Sequence, residues 1–371
     1  MKGTAGPIGS WPVGSGAGRL MNGPLSVFVR RWWAGEGGIA GYVLSVLLAP
    51  ASWVYGLVVR TRNSAYDAHD SQHVLGDRKH VICCLNRVAD IHIISVGNLA
   101  VGGTGKTPVA AWLTRFLSER GEQTAIVSRG YGRDERLLHQ RWNPEVPVEA
   151  DTDRVIAVER ARDAGANVVV LDDGFQHRRL ARDLDLVLLA AEDPFPGRLL
   201  PTGPYREAAS SLARADVILV TRRTASSELA LAVLRCARGF APSCVGGVIR
   251  LAPDRWLDLG GEQVSAPEGD VLVVAAVARP DDFRENVAVL LGTNVELLAF
   301  RDHHDYCVGD IRRIRKAADG RAVVVTEKDA VKLTPWASDL SGAYVLTQRI
   351  FWELGRAEVE MKTTAAVGRF T

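Results

Sequence analysis

Short, nearly uninterrupted apolar runs recur along this chain, and each ends in a glycine turn or in charged or polar residues. "IHIISVGN", "TAIVSRGYG", "ANVVVLDDG", "LDLVLLAAE" and "ADVILVTRR" are all of this kind. Such runs mark strands covered on both faces, as in a parallel sheet flanked by helices. Between the first two, "TPVAAWLTRFLSERG" carries apolar residues at helical spacing and stops at Gly121, the pattern of an amphipathic helix with its terminator. Residues 89–225 therefore read as a doubly wound α/β domain. The style returns in "CVGGVIRLA", "DVLVVAAVARP", "NVELLAF", "RAVVVTEKD" and "GAYVLTQRI", which predicts a smaller α/β domain over 226–350, with the boundary near 223–230 and a C-terminal segment at 351–371. A length of 371 residues is ample for both cores.

Ahead of the sheet, residues 1–36 read as a glycine-rich disordered leader, within which Met21 is an alternative start. Residues 37–62 form an apolar segment and 63–88 a polar connector. No charged residue occurs from Gly37 to Val59, and Arg30, Arg31, Arg60 and Arg62 flank the stretch. Three dispositions are open: a helix lying at a lipid surface, which suits Trp32, Trp33 and Trp53; a helical hairpin packed on the body; and a membrane span, which the length permits but Pro50 and the glycines weaken. A net charge of +2 supplies no excess of cations for nucleic acid. The five cysteines form no C-x-x-C pair, and their odd number suits a reducing compartment. Cys83 and Cys84 read as small apolar residues of a buried strand.

"SVGNLAVGGTGKTP", residues 95–108, follows the first strand and opens the helix. It matches the phosphate-loop pattern G-x-x-x-x-G-K-[ST] except that Ala100 stands at the first glycine. Gly102, Gly103 and Gly105 free the backbone to turn its N–H groups around a phosphate at a helix N-terminus. The cradle is Ala100, Val101, Gly102, Gly103, Thr104, Gly105, Lys106 and Thr107. Lys106 is expected to reach the β- and γ-phosphates, and the Thr107 hydroxyl to ligate Mg²⁺. Ala100 is acceptable if its φ stays negative. In "NVVVLDDGFQHRRL" a strand delivers Asp172 and Asp173 to the sheet's C-terminal edge, where open parallel sheets bind ligands. One of the two is expected at the metal.

These stretches, with "VSRGYGR", "LLPTGPYREA", "VARPDDF", "FRDHHDY" and "VVTEKDAVKL" in this order, resemble the tetraacyldisaccharide 4′-kinase family over roughly residues 40–335. The resemblance implies two α/β domains closing over a cleft. It implies transfer of the ATP γ-phosphoryl group to the 4′-hydroxyl of an acylated glucosamine disaccharide 1-phosphate, a lipid A precursor. It also implies work at the cytoplasmic face of the inner membrane, and so favours the lipid-surface disposition of the apolar segment. The family itself carries a small residue in place of the loop's first glycine. By position, the resemblance assigns Lys106, Asp172, Asp173 and His303 to catalysis, and Thr107, Asp172 and Glu207 to the metal. Arg129 and Glu207 fall on the substrate side. Arg129 reads equally as a tie between two loops. His303 and its neighbour His304 would point opposite ways in a strand, which argues against a joint metal site.

One departure stands out. The family has a longer connection between "SRGYG" and "LDDGFQH", holding a Gly-Asp-Glu-Pro whose aspartate pairs with the histidine. Here only 134–171 intervene and that stretch is read as missing, so the candidate substitutes are Asp134, Glu135, Glu149, Asp151 and Asp153, with Asp153-Arg154 matching a structural pair that opens a helix. Two other readings follow from this. One is an ATP-binding relative that has lost its chemistry. The other is a phosphate-loop GTPase or metallochaperone, against which "TEKD" lacks the [NT]-K-x-D spacing of guanine recognition.

Overall fold

The computed structural model describes residues 24–72, 86–130 and 133–368; the readings of residues 1–23, of Cys83 and Cys84 and of half of the connector lie outside them. Helices α1 (Pro24–Trp33) and α2 (Gly38–Gln72) come first. The first half of the sheet follows as β1 (His92–Asn98), α3 (Lys106–Ser118), β2 (Thr124–Ser128), α4 (Arg133–Trp142), β3 (Val148–Ala150), α5 (Arg154–Asp163), β4 (Val168–Asp172), β5 (Leu184–Ala190), β6 (Val217–Arg222) and α6 (Ser227–Arg238). The rest is β7 (Val245–Asp258), β8 (Val271–Ala275), α7 (Pro280–Leu291), β9 (Val295–Ala299), α8 (Val308–Ala318), β10 (Ala322–Thr326), α9 (Glu327–Leu333), β11 (Ala343–Leu354) and α10 (Arg356–Val367).

Among the described residues all these strands join one 11-stranded sheet, in the order β3-β2-β4-β1-β5-β6-β7-β11-β10-β8-β9. Strands β1 and β4 to β6 are buried along their length apart from Arg222 at the end of β6, as both-face coverage demands. The chain builds β2 to β4 on one side of β1 and β5 to β7 on the other, so the sheet order reverses at β1. That is the position at which open α/β sheets take ligands. The expected boundary near 223–230 is no break in the sheet. Strand β7 pairs parallel with β6 through Val245–Arg250 and antiparallel with β11 through Val248–Asp258. Beyond it β11, β10, β8 and β9 are again mutually parallel. Strand β11 runs past residue 350, and α10 returns to place Val359, Ala366 and Val367 on the core under β1 and α3.

The N-terminal expectations need correction. Part of the expected leader is helix α1, and the hairpin reading fails because the apolar segment is one continuous helix of 35 residues, running ten past its expected end at 62. Pro50 sits inside it, where it deletes one backbone donor. Ser45, Ser52, Tyr55, Asn63 and Asp67 recur on one helical face, and each bonds the body. Arg198 donates to Ser45 Oγ (3.0 Å), Ser52 to Leu199 O (3.0 Å) and Tyr55 to Arg206 O (3.0 Å). Arg178 holds Asn63 O and Asp67. Away from that face, Ile39, Tyr42, Leu47, Trp53, Leu57 and Val58 are exposed.

Candidate active site

The phosphate loop takes its shape from two sides. At its start Arg206 N donates to Leu99 O (2.7 Å) and Val101 N to Pro204 O (2.8 Å), with Ala100 bridged antiparallel to Tyr205. Ala100 thus sits in extended pairing and keeps a negative φ, which is why an alanine serves there. The left-handed positions are Gly102 (φ 131°) and Gly105 (φ 88°), the latter capping α3. A Cβ on Gly105 would also meet Leu251 Cδ1 at 2.5 Å. Thr104 is buried, accepting from Asn98 Nδ2 (2.9 Å), while its carbonyl accepts from Thr221 (2.9 Å). Lys106 and Thr107 therefore open α3 with the helix N-terminus behind them.

Strand register carries the acids to this loop: Asp172 ends β4 opposite Val96 of β1. Its carboxylate is almost wholly buried and meets His139 Nε2 at 3.0 Å. Asp173 follows with φ 61° and faces Lys106 Nζ at 3.6 Å and Arg206 Nη1 at 3.3 Å. Burial alone would raise its pKa, but Lys106, Arg206 and Arg154 outweigh that and hold it well below the usual carboxylate range. Arg154, first residue of α5, donates to the carbonyls of Asp172 (3.3 Å) and Asp173 (3.5 Å), and Asp153 caps that helix. The structural reading of Asp153-Arg154 holds. Arg129 ends the β2 turn before Gly130 (φ 75°), near enough that its charge disfavours that of Arg154.

A second cluster faces the first from the other half of the sheet. His303, in a turn with φ 60°, brings Nδ1 to 2.9 Å from Asp134 Oδ2. Lys328 Nζ lies 3.2 Å from His303 Nε2, 3.2 Å from Asp302 and 3.5 Å from Asp134, and Lys332 Nζ is 3.9 Å from Asp134. Burial, which would raise the Asp134 pKa, is overcome by the His303 hydrogen bond and these charges, so the carboxyl stays ionised far below its ordinary range. The same hydrogen bond raises His303 against the opposing effects of burial and Lys328. Glu135, half-buried beside Asp172, is pushed up to about 7. His304 turns away to Asp310 (2.9 Å) and stacks on Phe300. The two histidines do part, although through a turn rather than a strand.

Of the five candidate substitutes, Asp134 is the one that meets His303, and it lies with Glu135 in the first turn of α4. The other candidates are engaged elsewhere: Glu149 and Asp151 pair with Arg160. Glu207 needs a correction too. Its fully buried carboxylate is held by Arg214 (2.9 Å), Asn63 Nδ2 (2.7 Å) and Arg62 (3.8 Å), and neither Thr107 nor Asp172 is among its partners. It ties α2 to the 199–207 loop. Asp329 of "TEKD" is likewise internal, accepting from Ala276 N, Tyr306 and Thr326.

A family model described as tetraacyldisaccharide-1-P 4′-kinase matches residues 44–365. The chain belongs to this family. The tetraacyldisaccharide 4′-kinase of Anaeromyxobacter sp. (strain Fw109-5) is 36% identical over 346 residues, covering 84% of this chain and 88% of that one. The kinase of Syntrophus aciditrophicus is 36% identical over 294 residues, 66% and 75% of the two chains. The crystal structure of LpxK from Aquifex aeolicus in complex with ATP covers 87% of this chain and 99% of its own, with a TM-score of 0.67 and 25% identity. The reaction is thus the ATP-dependent 4′-phosphorylation step of lipid A biosynthesis. Within this kinase, sequence reasoning missed His139, Arg206, Lys328 and Lys332. Lys328 and Lys332 stood in "VVTEKDAVKL", a stretch that carried the resemblance and was weighed for guanine recognition without a site residue being assigned in it, and Arg206 beside Glu207 in "PYREA".

Proposed function

We propose that this kinase uses Mg²⁺·ATP at the cytoplasmic face of the inner membrane. It transfers the γ-phosphoryl group to the 4′-hydroxyl of an acylated glucosamine disaccharide 1-phosphate, and the Asp134–His303 pair receives the hydroxyl proton. The observation that carries this reading is the contact of His303 with Asp134 at 2.9 Å, across the two halves of the sheet. It restores the acceptor-activating acid whose loss would have left only a nucleotide-binding relative.

The residues present suit a hard divalent ion. Thr107 supplies a hydroxyl and Asp172 a buried carboxylate at the loop's edge, and Mg²⁺ needs only one or two protein carboxylates beside phosphate oxygens. Thr107 and Asp172 would hold it, and bound there it would neutralise charge on the β- and γ-phosphates. Loop amides and Lys106 orient the triphosphate, with Lys106 exchanging Asp173 for phosphate. Arg129 is assigned to the acceptor's phosphate or head group. Asp134, strongly ionised, is a poor proton acceptor; it orients the imidazole and supports its charge once Nε2 has taken the hydroxyl proton. The new bond joins the 4′-oxygen to the γ-phosphorus as the β–γ bridge breaks, and ADP leaves.

Helix α2 supports a lipid-surface position. It docks along the body from Ser45 to Asp67 while its other face exposes a run of large apolar side chains. A stretch so docked lies along the protein rather than crossing hydrocarbon. The test is an assay of the full chain with ATP, Mg²⁺ and tetraacyldisaccharide 1-phosphate, read as doubly phosphorylated lipid. Lys106→Ala should abolish product, and His303→Ala should lower kcat far more than ATP affinity. Product from the Lys106 variant at the wild-type rate would refute the assigned loop.

A further inference from the structure

We propose that His139 is a positioning residue for Asp172, fixing which carboxylate oxygen this acid turns toward the phosphate loop. The inference rests on the reading of Asp172 as the metal acid. Asp172 is the last residue of β4, so backbone pairing fixes its Cα but not the rotation of its carboxylate. Among the described residues, the side chain hydrogen-bonded to that carboxylate is His139, which takes Oδ2 at 3.0 Å and leaves Oδ1 for a cation. Both side chains are almost wholly buried, where a charge-assisted hydrogen bond is strong and strongly directional.

The imidazole is itself held. It lies edge-on to Trp142, with centroids 6.3 Å apart, and Trp142 Nε1 is anchored on Glu327 Oε1 at 2.7 Å. Helix α4 therefore carries Asp134 toward His303 and His139 toward Asp172, and Trp142 fastens it to α9. One short helix sets the orientation of an acid at the phosphate loop and of the acid at the acceptor. His139 Nδ1 is buried and makes no hydrogen bond, so the ring's polar contact is made with Asp172 alone. A purely space-filling role at this position would be met as well by leucine.

Two substitutions separate these roles. His139→Leu keeps the bulk and removes the donor; His139→Gln keeps a donor nitrogen close to the place of Nε2. The probe is Mn²⁺ binding to the full chain with a non-hydrolysable ATP analogue, followed by electron paramagnetic resonance, alongside kcat and half-saturating Mg²⁺. His139→Leu should weaken Mn²⁺ binding by about 10–100-fold, the usual effect of losing a partner behind a metal ligand, while analogue binding without metal is unchanged. His139→Gln should recover most of that loss. Equal behaviour of the two variants, or full Mn²⁺ affinity in a folded leucine variant, would overturn the proposal. Asp172→Asn is the control on the underlying reading. If it loses Mn²⁺ while His139→Leu does not, only the positioning role falls; if it binds Mn²⁺ like the wild type, the metal assignment falls.

Discussion

Replacing Asp134 with asparagine keeps the shape of the second cluster and deletes its central negative charge. If the Asp134–His303 pair activates the acceptor, the loss should be of general-base size, about 10²–10⁴-fold in kcat, or roughly 3–5 kcal/mol of barrier. The cost in stability should be smaller than the ~3–5 kcal/mol typical of breaking a buried ion pair, because Lys328 retains Asp302 and Lys332 retains Asp329. The pH profile gives the sharper readout. His303 must be neutral to take a proton, so kcat rises as pH climbs through its pKa, which the Asp134 hydrogen bond raises above the ordinary 6.5. In Asp134→Asn that largest support is gone, and burial and Lys328 pull the other way. The rising limb should therefore move to lower pH while the plateau drops. The assay is initial-rate phosphorylation of the lipid acceptor from pH 5.5 to 9, with ATP affinity as a control. A folded variant with an unmoved limb, or with an undiminished plateau, would refute the reasoning.

Gly97→Ala should destabilise the fold by about 1–3 kcal/mol, read by urea unfolding, because the new Cβ would fall 2.4 Å from Phe175 Cβ and 2.8 Å from its backbone nitrogen; an unchanged midpoint would deny that close approach of β1. His177 is depressed to about 4, by burial and then by Arg154, so the unfolded chain binds the extra proton and stability, complete above about pH 6.5, declines toward pH 4. That loss is at most about 3 kcal/mol, and His177→Gln should flatten the difference in unfolding midpoint between pH 7 and pH 5. Replacing exposed Leu47 and Trp53 of α2 by serine should lower partitioning onto anionic lipid vesicles by at least tenfold, since each such side chain contributes about 1.5–3 kcal/mol when buried; unaltered co-sedimentation would count against α2 as the contact surface.

The nucleotide side of the site was legible because it is local. Strand, glycine turn, Lys106 and Thr107 are contiguous, so the order of residues encodes the geometry, and the acids at the end of β4 follow from one register rule of parallel sheets. The cluster proposed to serve the acceptor is assembled from Asp134, His303 and Lys328, on three separate segments. Their meeting depends on β7 and β11, whose antiparallel pairing joins both halves into one sheet. That pairing was hidden in the pattern, since each strand runs on into partly exposed, charged residues that resemble a linker. Asp134 stood among five acid candidates that the order of residues could not rank; the packing of α4 against α3, β3 and α9 brings Asp134, and not the others, to the histidine turn. The same consideration explains His139, which no spacing rule picks out, since only the packing of α4 against the end of β4 brings a helical imidazole onto a strand carboxylate.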